Sequence, residues 1–187
     1  HGHDHVGNNR GMENHPIIGF NYRISELHAA VGAAQTRKVP AIRLANLKNK
    51  AFLQKELSKV EGISFSKLGD DNGDSGTFLN ILMPDTETAK RTVDEFNKAG
   101  VAGFNYWFTN MYHFINQWEH IKGLKTASKL AIQVLGAPQD YNNLHLPKTQ
   151  ETVGRLISFG IRCTWTDDEL KTLATKISEC ATKAMKT

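Results

Sequence analysis

With 187 residues, 40% of them hydrophobic and 22% charged, the chain can bury one substantial core and has the composition of a globular protein. Its formal charge of +4 does not point to nucleic acid: basic residues are dispersed among acidic neighbours, as in Lys55-Glu56 and Asp94-Glu95-Lys98, and no basic block alternates with aromatics. There is no apolar run of roughly 18 residues to span a membrane, the polar stretch His1 to Gly19 does not read as a signal peptide, and Cys163 and Cys180 are too few for a disulfide framework. A cytoplasmic enzyme or binding protein, with no nucleic-acid or membrane partner, is the expectation.

Residues 1–24 have loop composition, with Gly2, Gly7, Asn8, Asn9, Gly11 and Asn14 breaking any period. A loop of that length in a compact domain carries function or docks on something else. Together with the absence of a Met before His1, it points to a segment of a longer chain. A helix is predicted from Ser25, with Ala29, Ala30, Ala33 and Ala34 small enough for close packing. Pro40 suits the first turn of a second helix running to about Val60, whose apolar stripe would be Leu44, Leu47, Ala51 and Leu57. These two helices read as a connector over 25–60.

From 61 to 187 strands alternate with helices. Ile63 to Lys67 alternates as a strand, Gly69 to Gly76 reads as an exposed connection, and Thr77 to Met83 reads as a buried strand. Pro84-Asp85-Thr86 opens a helix with an inner face of Ala89, Val93 and Phe96, ended by Gly100. Val101 to Trp107 is a further strand. Between Phe108 and Leu146 only short helical patterns near Leu124 to Leu135 emerge. Leu156 to Cys163 places Ile157, Phe159, Ile161 and Cys163 on one face, so Cys163 reads as a buried hydrophobe. Thr166-Asp-Asp-Glu169 is a capping box opening a last helix that buries Leu170, Leu173, Ala174, Ile177 and Ala181. The sum is an α+β two-layer domain.

Gly19-Phe20-Asn21-Tyr22-Arg23-Ile24, followed by Ala29-Ala30-Val31-Gly32 and Gln35, resembles a signature of the DegT/DnrJ/EryC1/StrS sugar aminotransferases. Leu146-Pro147, Leu156-Ile-Ser-Phe-Gly-Ile and Trp165-Thr166-Asp-Asp-Glu-Leu resemble the closing strand and helix of the same family, in the right order. The resemblance implies pyridoxal phosphate as cofactor and the C-terminal small domain of the aspartate-aminotransferase fold (fold type I). It also implies a homodimer with shared active sites. Residues 1–24 would then end the large cofactor-binding domain. His1-Gly2-His3-Asp4-His5, Arg10-Gly11, Tyr106-Trp107 and Asn110-Met-Tyr-His113 look like a subgroup aminating an eight-carbon sugar acid, 8-oxo-3,8-dideoxy-manno-octulosonate, for lipopolysaccharide assembly with glutamate as donor. The Tyr-x-Pro-Leu-His-like stretch that most members carry near Tyr106 is absent here.

In this family the Schiff-base lysine and the acidic partner of the pyridine nitrogen precede the Asn-Tyr-Arg motif. Here no lysine precedes Lys38, so the chain by itself is expected to be inactive and to hold no catalytic residue. Asn21 carries over as a hydrogen-bonding partner of the cofactor phosphate, with turn-shaping as the alternative. His3, His5, Arg10, Tyr22, Arg23, Tyr106, Trp107 and His113 are the candidate substrate contacts. Arg23 could pair with a substrate carboxylate or form a structural ion pair. His113 or Arg162 could lie near the acid group. The alternating His1, His3 and His5 could ligate a metal if extended, or chelate Cu(II) or Ni(II) at a free amino terminus; substrate contact or an interface loop is preferred, and no metal is expected. The aromatics Tyr106, Trp107, Tyr112 and Trp118, with His113 and His120, suit either stacking on a sugar or a core or dimer interface. The competing reading is a non-catalytic binding module that shares the fold.

Overall fold

A computed structural model describes residues 24–70, 72–109, 113–134, 136 and 140–186. The chain divides into two compact units, 1–40 and 41–187. In the first, α1 (Glu26–Thr36) starts where Ser25 caps it: the Ser25 hydroxyl accepts from the His28 backbone N–H and bonds the His28 ring. Its larger apolar residues, Leu27 and Val31, are exposed.

The second unit opens on most of α2 (Val39–Leu57), with Pro40 in its first turn as expected. The buried face differs from the expected stripe. Asn46, Asn49, Lys50, Leu53 and Leu57 point inward, while Leu44 is 65% exposed and Ala51 also faces out. Of the expected stripe Leu57 is fully buried and Leu47 partly so, but three of the five inward positions are polar, so apolar periodicity finds this face only in part.

Two of those polar groups, Lys50 and Asn49, are held by partners, while the Asn46 amide oxygen is buried without a hydrogen bond among the described residues. Lys50 Nζ lies 2.7 Å from Asp74 Oδ2, and Asn49 Nδ2 donates to the Arg162 carbonyl at 2.9 Å. Arg43 donates through Nε to the Asp74 carbonyl and through Nη2 to that of Asn72. The 69–76 connection is exposed over most of its described residues, as expected, and is strapped to α2 by these contacts. Gly76 closes the strap at φ +71°, and a Cβ there would stand 2.8 Å from the Leu47 backbone nitrogen.

Four strands form one antiparallel sheet in the order β1-β2-β4-β3. They are β1 (Ser64–Phe65), β2 (Phe78–Leu82), β3 (Phe104–Asn105) and β4 (Leu156–Gly160). The segments 63–67 and 101–107 are shorter as strands than their alternation predicts. One face of the sheet carries Leu79, Ile81, Ile157 and Phe159, all essentially inaccessible. The helix α3 (Thr86–Lys98) adds Ala89 and Phe96 to the same core, and the final helix adds Leu170, Ala174, Ile177 and Ala181. Phe96 meets Phe104 and Phe159 edge-on at 5.2 and 5.6 Å. α3 begins where the Asp85 carboxylate accepts from the Thr88 N–H at 2.7 Å.

Between β3 and β4 run a 3-10 turn (Ile115–Gln117), α4 (Glu119–Lys122), α5 (Ala131–Val134) and α6 (Pro147–Arg155). Sequence periodicity misses α6 because PKTQETVGR offers hardly any apolar residues; its one local signal is Pro147 in the first turn. α6 approaches α3 closely at Gly154, where a Cβ would meet the Thr86 hydroxyl at 2.4 Å. The last helix, α7 (Asp167–Met185), has both arms of the expected capping box. Cys163 departs from expectation: β4 ends at Gly160, and the residue is only partly buried beyond it, whereas Cys180 of α7 is buried. The fold is α+β, with helices on one face of an antiparallel sheet. Among the described residues no helix is long and apolar enough to cross a membrane.

Candidate functional site

The pleat that sends Ile157 and Phe159 into the core sends Ser158 to the opposite face. Register places Asn80 of β2 and Asn105 of β3 directly beside Ser158, on either side of it. One step along, Phe78 pairs with Gly160 and is 49% exposed. This second face of the sheet therefore carries a row of two amides and a hydroxyl, bordered on one side by the exposed Phe78 ring and on the other by the partly buried Leu82–Leu156 pair.

Trp107 follows β3 and lies on that row. Its indole Nε1 donates to Ser158 Oγ at 2.8 Å, and Ser158 Oγ donates to Asn80 Oδ1 at 2.6 Å. The direction is forced, because indole N–H can only donate and the single hydroxyl proton is then left for the amide oxygen. Ser158 is 2% exposed, while Trp107 and Asn80 are partly exposed and Asn105 is exposed. His113 packs on Trp107 with ring centroids 4.1 Å apart and planes at 52°. Of the candidate substrate contacts, Trp107 and His113 are thus brought together at the edge of a polar surface.

Tyr106, expected beside them, belongs to the interior instead. It is 7% exposed, and its hydroxyl donates to the Gly154 carbonyl at 2.7 Å. Burial, aided by the Glu87 carboxylate, pushes its phenol up to about 12. Tyr106 therefore anchors β3 to α6, and its hydroxyl is committed there. The remaining aromatics pair locally: Phe108 stacks on Phe114, and Trp118 on His120 at 6.1 Å. Arg162 is exposed, with its carbonyl taken by Asn49. His3, His5, Arg10, Asn21, Tyr22 and Arg23, with Tyr112, lie outside the described residues.

Asn80, Asn105 and Ser158 were not singled out by sequence reasoning. The alternation of β4 holds the signal for Ser158, since a serine between Ile157 and Phe159 must face away from the core. Its partners on β2 and β3 depend on a register that one strand alone does not reveal. Among the described residues no group of three or more His, Cys, Asp or Glu side chains is placed to hold a metal ion.

A small antiparallel sheet with helices packed on one side defines an α+β two-layer domain. The sequence profile of the DegT/DnrJ/EryC1/StrS aminotransferase family matches residues 1–178, and the chain belongs to that family. Among solved structures it is similar to Helicobacter pylori PseC, an aminotransferase involved in the biosynthesis of pseudoaminic acid. There the TM-score is 0.60 at 15% identity, over 98% of this chain and 44% of that one. It is also similar to 3-amino-5-hydroxybenzoic acid synthase (0.58, 17% identity, 95% and 43%). A third likeness is to the aminotransferase TlmJ of Streptoalloteichus hindustanus (0.56, 14%, 85% and 36%). At such identities the likeness is one of fold. The chain spans well under half the length of each of these structures.

Enzymes of this family depend on pyridoxal phosphate, which requires a lysine amine free to condense with the cofactor aldehyde. Lys50 is the buried lysine among the described residues, and its amine is committed to Asp74, with side chains 11% and 13% exposed. Asn21, the phosphate contact implied by the resemblance, lies outside the described residues. The described residues do not by themselves fit the cofactor, so no chemical step is assigned through it to any of them.

Proposed function

We propose that this chain forms the small-domain part of a pyridoxal-phosphate-dependent aminotransferase acting on a sugar. The reaction converts a keto or aldehydo carbon of the sugar to a carbon bearing an amine, and glutamate to 2-oxoglutarate. Residues 61–187 would be the small domain, 25–60 its connector helices, and 1–24 the end of the large domain. Two copies would share their active sites in a homodimer.

The observation that carries this reading is the family match over residues 1–178. The sheet face supports the choice of a hydroxylated substrate, because Trp107 and His113 offer aromatic surface beside amides that can donate to and accept from hydroxyls. Trp107 would lie against the sugar ring, with His113 next to the acid group. When bound, the cofactor supplies an electron sink and the amine relay; this chain's residues orient the sugar and exclude water. Asn21 would contribute a hydrogen bond to the cofactor phosphate, and His3, His5, Arg10, Tyr22 and Arg23 would contact substrate. An eight-carbon sugar acid, 8-oxo-3,8-dideoxy-manno-octulosonate, destined for lipopolysaccharide, is the specific substrate proposed.

The test uses protein made from the complete gene, supplied with glutamate and either 8-oxo-3,8-dideoxy-manno-octulosonate or dTDP-4-keto-6-deoxyglucose. Formation of 2-oxoglutarate dependent on the sugar is expected, faster with the sugar acid. Turnover of the nucleotide sugar alone would move the substrate to that class. Turnover of neither, in protein that retains the cofactor, would overturn the sugar reading.

A further inference from the structure

We propose that Ser158 and Asn80 are positioning residues that set the orientation of the Trp107 indole and, through it, the enzyme's affinity for its sugar. This rests on the reading of Trp107 as a sugar contact. Trp107 lies just past the end of β3, where no ladder hydrogen bond fixes its ring. The ring is fixed instead from the neighbouring strand: Nε1 donates to Ser158 Oγ at 2.8 Å, and that hydroxyl donates to Asn80 Oδ1 at 2.6 Å.

Ser158 sits on β4, which is paired on both sides, by β2 and by β3. Its backbone is hydrogen-bonded into the sheet on both sides, a fixed base from which to hold a side chain. Asn80 is held in register across β2 and closes the relay. His113 also packs against the ring, with centroids 4.1 Å apart and planes at 52°. The indole is thus held by its Nε1 and by the packed His113 ring, as a stacking platform requires if a ligand is not to bear the ordering cost.

The relay also fixes the rotamer of Asn80. With Oδ1 occupied by the hydroxyl proton, the amide nitrogen makes no hydrogen bond among the described residues.

The experiment measures steady-state kinetics of the complete-gene enzyme with glutamate and the two sugar probes named above. Ser158→Ala is expected to raise KM for the sugar about five- to tenfold. It should leave kcat and the KM for glutamate unchanged, with Ser158→Thr restoring the sugar KM. Trp107→Ala should raise the same KM, and adding Ser158→Ala to it should cost nothing further, because the two act through one contact. Asn80→Leu serves as a second break in the relay should Ser158→Ala fold poorly by thermal melting. An unchanged sugar KM in Ser158→Ala or Asn80→Leu, with Trp107→Ala raising it, would overturn the positioning role. An unchanged KM in Trp107→Ala would overturn the sugar-contact reading beneath it.

Discussion

The hydroxyl of Tyr106 donates to the carbonyl of Gly154 at 2.7 Å, joining the end of β3 to α6 inside the core. Tyr106→Phe removes that donor and leaves a buried carbonyl short of a partner. A loss of about 1–2 kcal/mol in stability is expected from denaturant melts. The phenol is raised from 10.0 to about 12 in the fold, so the fold favours its neutral form. This contribution is complete below the unfolded value and is lost as pH rises through the folded one. Wild-type stability should therefore fall between about pH 10 and pH 12, and the Tyr106→Phe variant should lose that part of the slope.

Lys50 and Asp74 form the least exposed ion pair between α2 and the strap that follows β1. Asp74→Asn leaves an amine with little water and no counter-charge, and should cost about 2–3 kcal/mol at neutral pH. The hydrogen bond from Lys50 holds the Asp74 carboxyl below its ordinary 3.8, with the Gly76 N–H assisting and burial opposing. A depressed carboxylate stabilises the fold above its unfolded value, and the benefit fades as pH falls through the folded one. Denaturant melts at neutral pH and again below pH 3.8 should show the gap between wild type and Asp74→Asn closing in acid.

Gly76 and Gly100 both have positive φ, but only Gly76 is crowded. Alanine at 100 meets nothing within 4 Å and should cost about 1–2 kcal/mol for the backbone alone. At position 76 the same backbone penalty is joined by a Cβ 2.8 Å from the Leu47 nitrogen, so Gly76→Ala should cost distinctly more and loosen the strap. Melting both variants, with amide exchange at Leu47 and Asp74, checks the difference; equal costs would mean that the strap yields freely.

The capped helices were the most legible part of this sequence, because their signals are local. Ser25, Asp85 and the Thr166–Glu169 box each mark a helix start that the structure bears out. The inward face of α2 was legible only at Leu57, since Asn49 and Lys50 turn inward to partners that lie on distant segments. α6 was hidden because it is nearly all polar, and it buries little beyond Gly154. For the site, aromatic density marked Trp107 and His113 but could not separate them from Tyr106, whose hydroxyl finds its acceptor 48 positions along the chain. Asn80 and Ser158 became visible only when strand register set them side by side.

The central claim, that this chain belongs to a pyridoxal-phosphate aminotransferase of sugars, meets its most direct test in a spectrum. Protein from the complete gene, reconstituted with pyridoxal phosphate, should be yellow and should lose the visible band on borohydride reduction. Adding glutamate alone should also shift the band, as the cofactor takes up the amino group, and release 2-oxoglutarate in proportion to enzyme. Folded protein that binds no cofactor, or one whose spectrum is indifferent to glutamate and every other amino donor, would contradict the account.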